Sequence, residues 1–162
     1  MKQRKGFTLL ELTIALAITL IASTAIFAGH RQIQRRTLHQ ASYQLQADLR
    51  YAQRRSIIEG RRFGIQIEPS ARRYHVVELR RFGSNNNLSI ANIIRTVYLP
   101  AGVRINPPSG ANNLLHYTGR GTPSRGATIT LSNGPFNQTM TRTVSGGRIQ
   151  VDPITTDRPA DI

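Results

Sequence analysis

Glu11 is the one acid in a block of apolar residues that begins at Phe7 and ends at Ala28. An ionised carboxylate in hydrocarbon is costly unless it is paired; near an interface it could instead snorkel or take up a proton. Four residues earlier stands Phe7, preceded by Gly6. A cut between Gly6 and Phe7 would create an α-amine about one helical turn from that carboxylate. On a neighbouring copy the two charges could neutralise each other. The four histidines, His30, His39, His75 and His116, show neither an HExxH pattern nor other close ligand spacing. The absence of cysteine removes a disulfide framework, a thiolate metal site and a cysteine nucleophile. Acids outside the C-terminal stretch are few and scattered. Gly146-Gly147-Arg148 reads as a turn, since no helix follows it. No residue is given a catalytic role, and no cofactor or metal is expected.

Arginine is the other informative residue. The 22 Lys and Arg against 8 acids give a net charge of +14. Loss of residues 1–6 removes Lys2, Arg4 and Lys5, which leaves 19 arginines, no lysine and a net charge of +11. Twelve of these arginines fall between Arg31 and Arg81, among only four acids. Arg61-Arg62 opens one strand pattern and Arg80-Arg81 closes the next, so antiparallel pairing would bring both dipeptides to one end of a hairpin. Like charges that close repel, which points to an anionic partner. The planar guanidinium fork suits phosphate. Aromatics follow the dipeptides at Phe63, Tyr74 and Phe82, as in surfaces that stack single-stranded nucleic acid. Strand aromatics more commonly lie in cores, and Phe63 is assigned there.

These residues need elements to hold them. Residues 7–28 would make about 33 Å of helix, enough for a bilayer core of about 30 Å, with the basic residues 1–6 on the cytoplasmic side. No small-residue cleavage site of a secretory signal follows the block. From His30 to Glu59 there is no proline. Leu38, Ala41, Leu45, Leu49 and Ala52 recur at spacings of three and four, one helical face. Gly60 is a C-terminal cap. The spacing therefore predicts one helix from about Thr8 to Glu59. Period-2 alternation then predicts a hairpin of 63–68 and 74–80, followed by strands over 93–99, 103–105, 114–118, 127–132, 141–144 and 148–151. A loop is expected at 84–87, a turn-rich stretch before residue 141, and a flexible tail over 152–162. The fold class is α+β: a long N-terminal helix, membrane-spanning in its first half, packed on a C-terminal antiparallel β-sheet head. The organisation is a leader (1–6), a transmembrane or filament-core helix (7–28), an amphipathic continuation (29–60), a β-rich head (61–151) and the tail.

Lys5-Gly6-Phe7-Thr8-Leu9-Leu10-Glu11-Leu12 resembles the processing signal of type IV prepilins and type II secretion pseudopilins. The later runs Leu115–Gly121, Ala127–Leu131 and Val144–Ile149 are similar to the C-terminal half of the GspH/FimT branch of minor pilins. The resemblance implies cleavage after Gly6 by a prepilin peptidase, N-methylation of Phe7, and a role for Glu11 in assembly with other pilins. It implies a pilin fold, an inner-membrane anchor with a periplasmic head, and later residence in a filament. FimT-type members are further implied to bind DNA during natural transformation through a Gly-Arg-x-Arg motif. Here Gly147-Arg148-Ile149-Gln150 keeps only the first arginine. The DNA-binding set expected from loops and last strands is Arg120, Arg125, Arg142 and Arg148, with Arg61, Arg62, Arg80 and Arg81 as the second choice. The alternative is a structural pseudopilin or a priming subunit without DNA binding.

Overall fold

Thr8 starts the helix. Its Oγ1 accepts a hydrogen bond from the Glu11 backbone N–H at 3.3 Å, and its carbonyl accepts from Leu12. Thr-x-x-Glu is also the sequence of a capping box, so Glu11 begins a helix as well as interrupting an apolar block. The computed structural model describes residues 8–82, 87–106, 113–144 and 147–156; the side chains of residues 22 and 24–29 are outside that description. Gly6 and Phe7 thus lie outside the described residues. Helix α1 runs Leu9–Glu59 and ends at Gly60, whose φ of 63° is the left-handed cap that glycine adopts without strain.

The chain forms two units, residues 1–33 and 34–162. In the first, Leu9, Leu10, Leu12, Ile14, Leu16, Ile18, Leu20 and Ile21 are all exposed. A helix apolar on every side needs apolar surroundings from outside itself. The expected span 7–28 lies partly outside the described residues; among the described ones, no helix is long and apolar enough to cross a membrane.

The second unit is the head. The stripe Leu38, Ala41, Leu45, Leu49 and Ala52 is buried, as its spacing predicts. Each buried leucine contributes about 1.5–3 kcal/mol. Two antiparallel sheets share this core. The first has the order β3-β2-β1-β5, built from β1 (Arg62–Glu68), β2 (Arg73–Phe82), β3 (Asn87–Tyr98) and β5 (Leu114–Tyr117). The second has β4 (Val103–Asn106), β6 (Ala127–Asn133), β7 (Phe136–Arg142) and β8 (Ile149–Val151) in the order β4-β6-β7-β8, with β9 (Thr155–Thr156) also on β7.

Three boundaries depart from the sequence reading. β3 begins at Asn87, not Ile93, because residues 87–89 pair with Phe82, Arg81 and Arg80, a ladder that carries the strand back through Asn87-Leu88-Ser89-Ile90 although most of it is exposed. Residues 84–86 of the expected loop lie outside the description, and Asn87 belongs to β3. β7 occupies Phe136–Arg142, whereas turns were expected before residue 141 and a strand over 141–144: its inward positions are Gln138, Met140 and Arg142, two of them polar. Finally, Thr155–Thr156 of the expected tail pairs with Phe136 and Asn137; residues 157–162 lie outside the description.

Candidate nucleic-acid interface

Gln53 on the polar side of α1 meets two loops. Its Nε2 donates a 3.0 Å hydrogen bond to the carbonyl of Gly121. It also abuts Gly147, where a Cβ would fall 2.4 Å from that same nitrogen. Gly147 has φ of 66°, so both its backbone conformation and its closeness to the helix call for glycine. The next residue, Arg148, is thereby held beside the helix. Its carbonyl is pinned by the backbone N–H of Thr143 at 3.1 Å.

The result is a cleft of about 560 Å³ lined by Arg50, Gln53, Arg54, Gly147, Arg148 and Ile149. All three arginines are exposed, and among the described residues no acid forms a salt bridge with any of them. Arg50 and Arg54 are one helical turn apart and face the same way. Three unpaired guanidinium groups around one concavity attract an anion with several charged oxygens. Gln150, where a second motif arginine would stand, instead donates to Asp152 at 3.3 Å.

The expected set Arg120, Arg125, Arg142 and Arg148 does not form one patch of exposed charges. Arg120 is exposed in the turn between Gly119 and Gly121, next to Gln53's side of the cleft. Arg125 is exposed further along the same loop. Arg142 is corrected: it is 1% exposed. Its Nη2 donates to the Arg125 carbonyl at 2.9 Å, and its guanidinium carbon stands 5.0 Å from the Tyr117 ring centroid. Burial lowers its pKa, against the opposing effect of Tyr117. Its inward position on β7 makes it a core cation, unable to reach a ligand on the surface.

The hairpin set comes together as pairing predicts. Arg62 lies opposite Leu79, and Arg61, Arg62, Arg80 and Arg81 line one cleft with Gly60, Glu78, Leu79 and Gly119. Glu78 pairs with Arg61 at 3.1 Å and lies 3.9 Å from Arg80. Phe63 and Tyr74 are core residues, whereas Phe82 is 77% exposed. His116 on β5 feels both arginine sets: burial first, then Arg62, Arg142 and Arg125, push its pKa down to about 4.

Other arginines are engaged. Arg55 donates to Glu59 at 2.5 Å and to the Tyr51 hydroxyl at 2.7 Å. Arg73 pairs with Glu68, and Arg95 with the buried Asp48. Arg50 and Arg54 were absent from the expected site. Their i, i+4 spacing opposite the buried stripe was the available signal, but the loop they face is set by tertiary packing at Gln53. Among the described residues there is no group of His, Asp or Glu arranged to hold a metal.

Residues 41–151, most of the head with its two sheets and arginine clefts, match the family model described as type II transport protein GspH. The chain belongs to the GspH family. Residues 1–27 of this GspH-family chain also match the prokaryotic N-terminal methylation motif, so it is a type IV pilin-like protein of the minor pilin and pseudopilin kind. The crystal structure of the type IV minor pilin FimU of Pseudomonas aeruginosa is similar, with 22% identity over 74% of this chain and 90% of that one, and a TM-score of 0.57. The minor pseudopilin EpsH of the type II secretion system of Vibrio cholerae is similar over 70% of this chain and 93% of that one, at 16% identity and a TM-score of 0.51. At these identities the likeness shows the shared fold of a helix on antiparallel sheets. No curated protein sequence matches the GspH-family chain significantly.

Proposed function

We propose that this GspH-family chain is a minor pilin that binds DNA without sequence preference and serves its uptake in natural transformation. The observation that carries the reading is the Arg50, Arg54 and Arg148 cleft: three exposed arginines with no acid paired to them among the described residues. Arg120 and Arg125 add cations on the neighbouring loop. Among the described residues the head offers strands and loops and no helix free to enter a groove, which suits phosphate contact over base reading. Prepilin peptidase cuts between Gly6 and Phe7, and Phe7 is N-methylated. The helix anchors the chain once in the inner membrane with the head in the periplasm, and Glu11 pairs with the amine of an adjacent subunit on assembly. A mobility-shift assay of the full chain in non-ionic detergent tests the DNA reading. Retardation of unrelated duplexes with equal affinity supports it; no retardation at low salt overturns it.

Gln150 favours a second reading, a structural pseudopilin of a secretion machine. Its amide is turned to Asp152, and β8 presents one cation fewer than a Gly-Arg-x-Arg motif would. On that reading the clefts hold acidic surfaces of other pilins, and the shift assay shows nothing while crosslinking to partner pilins succeeds.

A further inference from the structure

Two arginine clefts lie on either side of one short turn. Gly119 lines the hairpin cleft, and a Cβ there would fall 2.3 Å from the Gly60 carbonyl oxygen, so the turn touches the end of α1. Two residues on, Gly121 receives the Gln53 hydrogen bond and abuts Ile57. Gln53 lines the other cleft. Arg120, between these two contacts, is exposed. Along the helix, Gln53 to Gly60 is seven residues, a rise of about 10 Å. That matches about three nucleotides of a strand at 3.4 Å each.

The hairpin cleft is itself short of anions. Glu78 is shared by Arg61 and Arg80, and among the described residues no acid forms a salt bridge with Arg62 or Arg81. Arg62's pKa is lowered by burial first and then by Arg81. One residue beyond Arg81, Phe82 exposes 77% of its surface. An exposed phenyl next to a run of cations offers a stacking face for a base that is not paired in a duplex.

We propose that the two clefts, joined through Arg120, form one phosphate track ending at Phe82, and that it takes a DNA strand with an unpaired segment at the Phe82 end. The inference rests on the DNA-binding reading above and extends it to the hairpin. Repulsion among Arg62, Arg80 and Arg81 is relieved by the phosphates, while Phe82 discriminates single-stranded from fully paired DNA.

The test uses the full chain in non-ionic detergent and fluorescence anisotropy with single-stranded and blunt duplex DNA of equal length over a salt series. Arg80, Arg81 and Phe82 are exposed, so their replacement leaves the fold intact, checked by thermal unfolding. Arg81→Gln is expected to lower the salt slope by about 0.7 on single strands, and Arg80→Gln by less, since Glu78 already neutralises part of it. Phe82→Ala is expected to weaken single-strand binding about tenfold and to leave blunt duplex binding unchanged. If Arg148→Gln lowers the slope and Arg81→Gln does not, DNA is confined to the first cleft: the track is overturned and the DNA-binding reading survives. If the parent binds neither DNA, both fall. Poly-glutamate binding as tightly as DNA of equal charge, with no response to Phe82→Ala, overturns the nucleic-acid track in favour of an acidic protein.

Discussion

The phenol of Tyr74 on β2 donates a 2.6 Å hydrogen bond to the carboxylate of Asp48 on α1. Both residues are buried. Asp48 also accepts from Arg95 on β3 and from Gln44 one turn earlier on the helix. This acid, placed among the apolar positions of the helix, ties α1 to the first sheet. Tyr74→Phe is expected to lower the unfolding free energy by about 1.5–3 kcal/mol, the range for a hydrogen bond to a charged group. Asp48→Ala should cost a similar amount, since it leaves the buried Tyr74 hydroxyl without its acceptor while the half-exposed Arg95 returns to water. Urea unfolding measures both. Losses no larger than those of an exposed substitution would remove the network from the account.

His116 gives the head a defined acid limit. Its folded pKa of about 4 lies below the ordinary value of about 6.5, chiefly through burial. The unfolded ring therefore takes up a proton first as pH falls. Stability from the neutral ring is fully present above about pH 6.5, declines as pH falls toward 4, and stops declining below that. His116→Asn should flatten this limb of the stability profile. An NMR titration of His116 with a midpoint above 6 would contradict it.

Arg142 and Arg148 should separate cleanly. Arg142→Ala empties a core position and frees the Arg125 carbonyl, with an expected loss of about 2–4 kcal/mol in stability. The salt slope of DNA binding by the folded protein should stay unchanged. A lowered slope with unchanged melting would return Arg142 to the surface.

The helix stripe was legible because burial every three or four residues leaves a pattern that needs no tertiary knowledge. The hairpin was legible for the same reason at period two. β7 was not, since Gln138 and Arg142 occupy inward positions and hide the alternation. Edge strand β3 is exposed along most of its length, so no one-sided burial marks its start, and its register against β2 reveals it. Arg148 was legible from its Gly-Arg pair. Its partnership with Arg50 and Arg54 was not: residues nearly a hundred positions apart meet only because Gln53 sits under the Gly121 and Gly147 loops.

Processing has a mass signature. Protein from its native membrane should begin at methylated Phe7, and a bulky residue at Gly6 should leave the leader in place. A wild-type species retaining residues 1–6 would contradict the proposed cut.

Glu11→Ala should still enter the membrane, since insertion needs apolar length, yet assemble poorly. Crosslinking to partner pilins at the parent level would contradict the pairing proposed for that carboxylate.

The salt dependence of duplex binding by the full chain in non-ionic detergent bears most directly on the Arg50, Arg54 and Arg148 cleft. Each phosphate neutralised contributes about 0.9 to the slope of log affinity against log salt. Arg54→Gln and Arg148→Gln together should lower that slope by about two and weaken unrelated sequences alike. A slope equal to the parent's, with binding retained, would place the DNA elsewhere on the molecule and contradict the account.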